Sequence, residues 1–226
     1  MKLADTLRQL EAAGSAQTRK TYARHGITGK VFGVSYAVLG KLTKQIKRDH
    51  ALALGLWDSG WHDARVLALM IADPQQADAA LLRAWADDCE NRALVCGLAK
   101  FAARVPAAEA VAAKWCADKR ELVASAGWSL IAELALDSTL PDATFAALLK
   151  TIERDISQSA NFVRYAMNGA LIAIGCRNDQ LEKLAVAAAK RIGKVEVDHG
   201  DTCCQTPDAV AYIAKVKARR AGKGKK

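Results

Sequence analysis

The sequence predicts an all-α protein built from repeated helix hairpins. The chain has 226 residues, of which 51% are hydrophobic and only 6% are aromatic. Alanine and leucine are abundant, whereas strands favour β-branched and aromatic side chains. With four prolines and 25% charged residues, a chain of this length can bury about 70% of its unfolded surface. This composition excludes wholesale disorder.

Three prolines mark the period of the repeat. Pro74, Pro106 and Pro141 stand 32 and 35 residues apart, and each precedes an alanine-rich amphipathic segment. A second, more apolar segment follows each of these after a break. The period is typical of helix-turn-helix repeats, in which first helices lie outside and second helices line the inner face. Similar segments before and after this region predict about a dozen helices, in a single domain over residues 1–214.

Glycines interrupt the three predicted inner helices. Gly97, Gly127 and Gly169 lie within them, although glycine in a helix interior costs about 0.5 to 1 kcal/mol relative to alanine. Close packing between helices is the structural explanation. Room for the backbone of a ligand on a concave surface is the functional one.

The positive charge is concentrated near the carboxyl terminus. The net charge is +9, and residues 215–226 contain seven lysines and arginines and no acid, which leaves +2 for the rest. We expect this segment to be a flexible basic tail that attracts phosphate backbones, or one that only keeps the protein in solution. A second basic cluster falls mostly on one helical face and comprises Lys41, Lys44, Lys47 and Arg48.

Other classes of protein find no support in the sequence. No apolar run reaches the roughly 18 residues that cross a bilayer, and Asp5 and Glu11 stand where a signal peptide would be apolar. We therefore expect a cytoplasmic protein with no membrane partner. The six cysteines form no CxxC pair, which favours reduced thiols. HExxH, P-loop and GxSxG sequences do not occur, so metalloprotease, nucleotide hydrolase and serine hydrolase functions are not indicated.

One short segment contains metal-ligating residue types. His199, Cys203 and Cys204 lie close together in the sequence, but zinc requires about four correctly placed donors and adjacent cysteines seldom bind one ion. We expect no metal and no other cofactor. The segment is better explained as a loop pinned by side-chain hydrogen bonds, with residues 206–208 capping the last helix.

Residues 31–74 carry a family resemblance. They run Phe-Gly-Val, then Leu-x-Lys-Leu, then a tryptophan and His-Asp-Ala-Arg ahead of an Asp-Pro turn. This order resembles the DNA alkylation repair family of AlkD-like proteins, and the likeness extends from about Thr18 to Ile192. It implies a right-handed α-solenoid of HEAT-like helix-hairpin repeats, bent around duplex DNA with a basic concave face. Some members remove N3- or N7-alkylated purines, and others bind DNA without detectable glycosylase chemistry.

The catalytic pattern of the family is not recognisable in this chain. Its glycosylases resemble one another in an aromatic residue followed four positions later by an aspartate, supported by an arginine and a tryptophan on the next two inner helices. The matching positions hold Arg92 and Cys96, then Ala124 and Gly169. A carboxylate stabilises an oxocarbenium-like sugar or activates water, whereas a thiol with a pKa of about 8.5 does neither well. Catalytic residues therefore stay unknown, with a site shifted towards residues 87–88 as the open alternative.

Several side chains are candidates for binding DNA. Arg164 and Asn168 are four residues apart on one helical face, and Trp128 on the preceding inner helix could reach them. Arginine contacts phosphate, asparagine pairs with sugar or base edges, and tryptophan offers a flat surface. The structural alternatives are a core tryptophan, a surface ion pair and an asparagine bound to a backbone carbonyl. Further candidates for phosphate contacts are Arg65, Arg92, Lys100 and Arg104.

The leading hypothesis is a monomeric, nucleoid-associated protein that binds the backbone of damaged or distorted double-stranded DNA. The first alternative is a DNA glycosylase that excises cationic N3- or N7-alkylpurines, since the charge of the substrate itself weakens the glycosidic bond. The second alternative is a non-catalytic scaffold for protein interactions, because helical repeat arrays often bind proteins.

Overall fold

The computed structural model describes residues 1–223, with side chains through residue 220. This part of the chain is all-helical and contains thirteen α-helices, two short 3-10 turns and no strand. The helices are α1 (Leu3–Ala12), α2 (Ala16–Arg24), α3 (Tyr36–Ile46), α4 (His50–Asp58), α5 (His62–Ile71), α6 (Ala79–Asp87), α7 (Arg92–Ala102), α8 (Ala108–Cys116), α9 (Glu121–Leu136), α10 (Asp142–Asp155), α11 (Asn161–Gly175), α12 (Asp179–Ile192) and α13 (Ala209–Lys223). Over residues 1–223, no helix has the length and apolarity needed to cross a membrane.

Side-chain caps define where many helices begin. A serine, aspartate or asparagine before the first turn accepts a hydrogen bond from a backbone N–H that otherwise has no partner. The prediction that residues 206–208 cap the last helix is confirmed, because Asp208 Oδ1 accepts from Ala211 N at 2.7 Å. Six further helices begin in this way, at Ser15, Ser35, Asp49, Asp78, Asn91 and Asn178.

The chain divides into two compact units, which are described separately. Unit 1 comprises Met1–Ala107 with Gly200–Cys203, and unit 2 comprises Ala108–His199 with the residues from Cys204 onward. The expectation of a single domain over residues 1–214 stays a prediction.

In unit 1, helices α3, α5 and α7 form a layer in which α5 packs against both neighbours. Helix α4 covers α5, and α6 packs on α7. The loop before α3 is held by the buried Asp63 carboxylate, which accepts backbone N–H bonds from Phe32 at 2.7 Å and Val34 at 2.6 Å. Gly33 adopts a φ of +82°, and a Cβ there would lie 2.7 Å from the Ser15 oxygen. Only glycine fits this position without strain.

In unit 2, the second helices α9 and α11 pack side by side, as the repeat predicts. Helix α8 packs on α9 and α12 packs on both α10 and α11. Gly127 permits the close approach of α8 and α9, because a Cβ there would lie 2.4 Å from the Cys116 nitrogen. The packing explanation therefore holds for Gly127.

The carboxyl-terminal segment differs from the flexible tail expected from residue 215. Residues 215–223 continue α13, which packs on α11 and α12. The helix persists because Ile213 is fully buried and Lys217 Nζ binds Asp179 at 2.6 Å and also Glu182. These hydrogen bonds raise the pKa of Lys217, so the ammonium stays charged where it binds. The final part of the expected tail, residues 224–226, lies outside the described residues.

Candidate nucleic-acid interface

A groove of about 530 Å³ lies between α3, α5 and α7 of unit 1. Its apolar lining includes Leu69, Met70 and Phe101, while Tyr36 and the two cations Lys100 and Arg104 line it as exposed side chains. No aspartate or glutamate occurs among the described residues that line this groove. It is therefore an apolar hollow flanked by positive charge.

The two cations of the groove are uncompensated. Lys100 lies in the last turn of α7 and Arg104 lies two residues beyond its end, and neither has a carboxylate partner in the described part of the chain. The Arg104 guanidinium lies 5.8 Å from the centre of the Phe101 ring. Burial, and then the like charge of Arg48, lowers the pKa of Arg104. Crowded positive charge of this kind is relieved when a phosphate binds.

Gly97 shapes the groove from α7. A Cβ at this position would lie 2.9 Å from Leu69 Cδ1, so glycine permits α7 to approach α5 closely. Gly97 also lines the groove. The contact at Gly97 is with the end of the Leu69 side chain and not with backbone, and the packing explanation fails at Gly169, where no atom lies within 4 Å of an added Cβ.

Cys96 stands in the groove at the position where the family resemblance expects a carboxylate. The residue is exposed and lines the groove together with Tyr36. Arg92, the position expected to be aromatic, begins α7 and is half-buried. Tyr36 itself was not among the sequence candidates, although its place directly after the Ser35 cap exposes it on the first turn of α3.

The alternative site near residues 87–88 lies elsewhere in unit 1. Asp88 accepts a hydrogen bond from Trp57 Nε1 at 2.8 Å, and Trp57 is buried against Trp85 with ring centres 4.4 Å apart. Asp87 lies 3.7 Å from Arg83. Neither carboxylate lines the groove, and the Asp88 contacts stabilise the tryptophan pair.

Arg65 belongs to the same tryptophan cluster. Its side chain is 12% exposed and lies 3.7 Å from both Asp88 and Glu90. It also donates to the carbonyl oxygens of Trp57 at 3.3 Å and Asp88 at 3.0 Å. Its charge is thus compensated within unit 1, and its contact with phosphate stays a prediction.

The three candidates in unit 2 do not share a cavity. Trp128 is 3% exposed and lines a cavity of about 680 Å³ between α8, α9, α10 and α11. Asn168 is buried and donates to the Pro207 carbonyl at 3.0 Å, beside a second cavity of about 460 Å³. Arg164 is half-buried, and within the described residues its Nε has no hydrogen-bond partner. Trp128 and Asn168 match their structural alternatives, and their roles towards DNA stay predictions.

The segment around His199 is held by hydrogen bonds, as expected. Asn161 exchanges two hydrogen bonds with the Asp198 backbone, both 2.8 Å long. The His199 ring contacts Thr206 Oγ1 at 3.0 Å. None of the six cysteines forms a disulfide bond. In the described part of the chain, no three His, Cys, Asp or Glu side chains form a group that could hold a metal ion.

Comparisons with known proteins agree with the fold and the sequence likeness. A family model described as DNA alkylation repair enzyme matches residues 6–213. An uncharacterized protein of Listeria innocua is 31% identical over 217 residues, which is 93% of this chain and 95% of the relative. An uncharacterized protein of Listeria monocytogenes is 30% identical over the same shares.

A solved structure is similar over nearly the whole chain. It represents a new family of proteins related to the HEAT-like repeat DNA glycosylases, with affinity for branched DNA structures. The TM-score is 0.89 at 29% identity, and the match covers 97% of this chain and 95% of the other. The predicted all-α fold of HEAT-like repeats is thereby confirmed. The chain belongs to the DNA alkylation repair enzyme family.

Proposed function

We propose that this protein binds branched or otherwise distorted double-stranded DNA through the unit 1 groove. The observation that carries the proposal is the pair Lys100 and Arg104, which are exposed, uncompensated and adjacent to an apolar hollow. Phosphates neutralise such cations, and the release of their counterions favours binding. The similar protein with affinity for branched DNA supports the choice of DNA.

We further propose that binding occurs without base excision. Cleavage of an N-glycosidic bond needs a group that stabilises positive charge on the sugar or activates water. The described lining of the groove offers the Cys96 thiol and no carboxylate. Damaged DNA would then be bound for its distorted shape, because a distorted duplex costs less free energy to bend further.

A binding titration tests the groove. Lys20 and Arg24 on α2 have the same Lys-x-x-x-Arg spacing as Lys100 and Arg104, are exposed and do not line the groove. Fluorescence anisotropy with a labelled four-way junction should show about tenfold or greater loss of affinity for Lys100→Gln/Arg104→Gln. The slope of log affinity against log salt should fall by about 1.8, since each neutralised phosphate contributes about 0.9. The matched control, Lys20→Gln/Arg24→Gln, should bind like the wild type.

Two results would contradict the groove as the binding site. One is an equal loss of affinity for the junction in the groove variant and the control, which would indicate a general effect of net charge. The other is no binding of any DNA by the wild type in about 50 mM salt, where electrostatic contacts are strong.

An assay of base release distinguishes DNA binding alone from glycosylase activity. DNA that contains 7-methylguanine or 3-methyladenine should lose the base at the same rate with and without the protein. Release above the protein-free rate would establish the glycosylase alternative. Binding of proteins with no affinity for DNA would instead favour the scaffold.

A further inference from the structure

The last helix of unit 2 carries basic side chains in two different environments. Ile213, Lys217 and Arg220 face the body of the unit. Gly175 makes room for Ile213, because a Cβ on Gly175 would lie 2.6 Å from Ile213 Cδ1. Arg220 donates a hydrogen bond to the Cys176 carbonyl. These contacts hold α13 in place and leave its opposite face free of them.

The opposite face of α13 is an exposed stripe formed by Tyr212, Lys215 and Arg219. The three residues are spaced by three and four positions, so they lie along one side of the helix. Tyr212 is 44% exposed, and Lys215 and Arg219 are exposed. From Tyr212 to Arg219 the helix rises about 10 Å, the axial length of about three base pairs.

The charge of this α13 stripe is uncompensated. Residues 209–220 include no acid. Of the described carboxylates that contact the helix, Asp208 accepts the Ala211 N–H as its cap, and Asp179 and Glu182 are bound to Lys217. In the part of the chain that the structure describes, Lys215 and Arg219 have no carboxylate partner. Two like charges four residues apart destabilise a helix slightly. An anionic partner would remove that repulsion.

The chemistry of the stripe favours DNA over a membrane or a protein. Apart from Tyr212, the exposed face offers mainly alanines, which is too little apolar area for a helix to insert into lipid. A stable protein interface usually contains a cluster of large buried side chains, and only one large apolar side chain is present. Two cations in line with an exposed aromatic ring match phosphates and an unpaired base or sugar.

We propose that the α13 stripe is a second DNA-contacting surface, carried by unit 2 and separate from the groove of unit 1. This inference rests on the proposed function, since it assumes that the protein binds DNA. A branched DNA has several duplex arms, and two surfaces in one chain can contact two of them. The second contact then forms at high effective concentration, which increases the total affinity.

The test compares three variants that remove the same charge at the same spacing. Lys215→Gln/Arg219→Gln, Lys100→Gln/Arg104→Gln and Lys20→Gln/Arg24→Gln are titrated with a fluorescent four-way junction and a linear duplex of equal length. We expect the α13 variant to lose about tenfold in affinity for the junction and about 1.8 in salt slope. The variant should lose less affinity for the linear duplex than for the junction. Its thermal unfolding temperature should match that of the wild type.

The outcomes distinguish this proposal from the proposed function. If the wild type binds the junction and the α13 variant behaves like the Lys20/Arg24 control, the stripe is not a DNA surface and the groove proposal stands. If only the α13 variant loses affinity, the stripe is confirmed and the groove is wrong. If the α13 variant keeps its affinity for DNA but loses binding to phosphatidylserine vesicles, the stripe is a membrane surface and the proposal is overturned.

Discussion

The groove of unit 1 and the α8–α11 cavity of unit 2 are hollows of similar size with different charge. The unit 1 groove, about 530 Å³, has two cations that meet no carboxylate partner within residues 1–220. The unit 2 cavity is about 680 Å³, and its lining mixes the cations Lys119 and Arg154 with four acids, Glu109, Asp118, Glu121 and Asp155. Arg154 lies 2.6 Å from Asp155, and Glu121 accepts the Phe162 backbone N–H at 2.7 Å. A hollow by itself therefore does not indicate a DNA site, whereas a described lining that has cations and no acid does.

The two hollows should differ most in the reactivity of their cysteines. Cys96 is exposed in the groove, whereas burial raises the pKa of Cys116 in the cavity to about 12. At about pH 8 such a thiol is ionised about a thousandfold less than an ordinary one, and the thiolate is the reactive form. We expect N-ethylmaleimide to modify Cys96 far faster than Cys116, as measured by peptide mass spectrometry.

Repeating the modification with DNA bound tests whether DNA covers the groove. A four-way junction should protect Cys96 and leave the slow modification of Cys116 unchanged. Equal rates for the two cysteines without DNA would mean that the unit 2 cavity opens readily, and absence of protection at Cys96 would contradict DNA binding over the groove.

Replacing Trp128 should affect stability and spare DNA binding. Because Trp128 is 3% exposed in unit 2, Trp128→Ala should lower the free energy of unfolding by about 3 kcal/mol, as is usual for large core residues. Urea denaturation measures this loss. At a temperature where the variant is folded, its affinity for the junction should equal that of the wild type. Lost affinity with unchanged stability would instead support Trp128 as a DNA-facing residue.

The smallest predicted effect is a response of unit 1 to pH. Burial lowers the pKa of His62, reinforced by Arg65 and opposed by Asp63. The folded state therefore keeps the imidazole neutral, while the unfolded chain takes up a proton below about pH 6.5. Stability should be constant above that pH and decrease below it, by at most about 1.4 kcal/mol per pH unit, until the folded pKa is reached.

Denaturation with urea between about pH 7.5 and 5.5 measures this dependence. His62→Gln should reduce the slope, whatever its effect on stability at neutral pH. A wild-type stability that rises on acidification through this range would contradict a neutral, buried His62.

Local features of the sequence predicted much of the fold and part of the site. The helical periodicity, the prolines and the cap before α13 depend on neighbouring residues, so they could be identified without the structure. Lys100 and Arg104 could be named because helical spacing places them on one face. Tyr36 was missed because α3 and α7 are far apart in the sequence, and they line the same groove because both pack on α5.

The sequence by itself determined the helical class, the position of the inner helices and the family, because each depends on residue order over short spans. Tertiary structure decided which cations are free. Arg65 and Arg104 are the same residue type, yet packing places Asp88 and Glu90 beside the first and, among the described residues, no carboxylate beside the second. It also made α13 a docked helix, because Lys217 meets acids that lie 35 and 38 residues earlier. Charge compensation is a property of distances in space, which the order of residues does not contain.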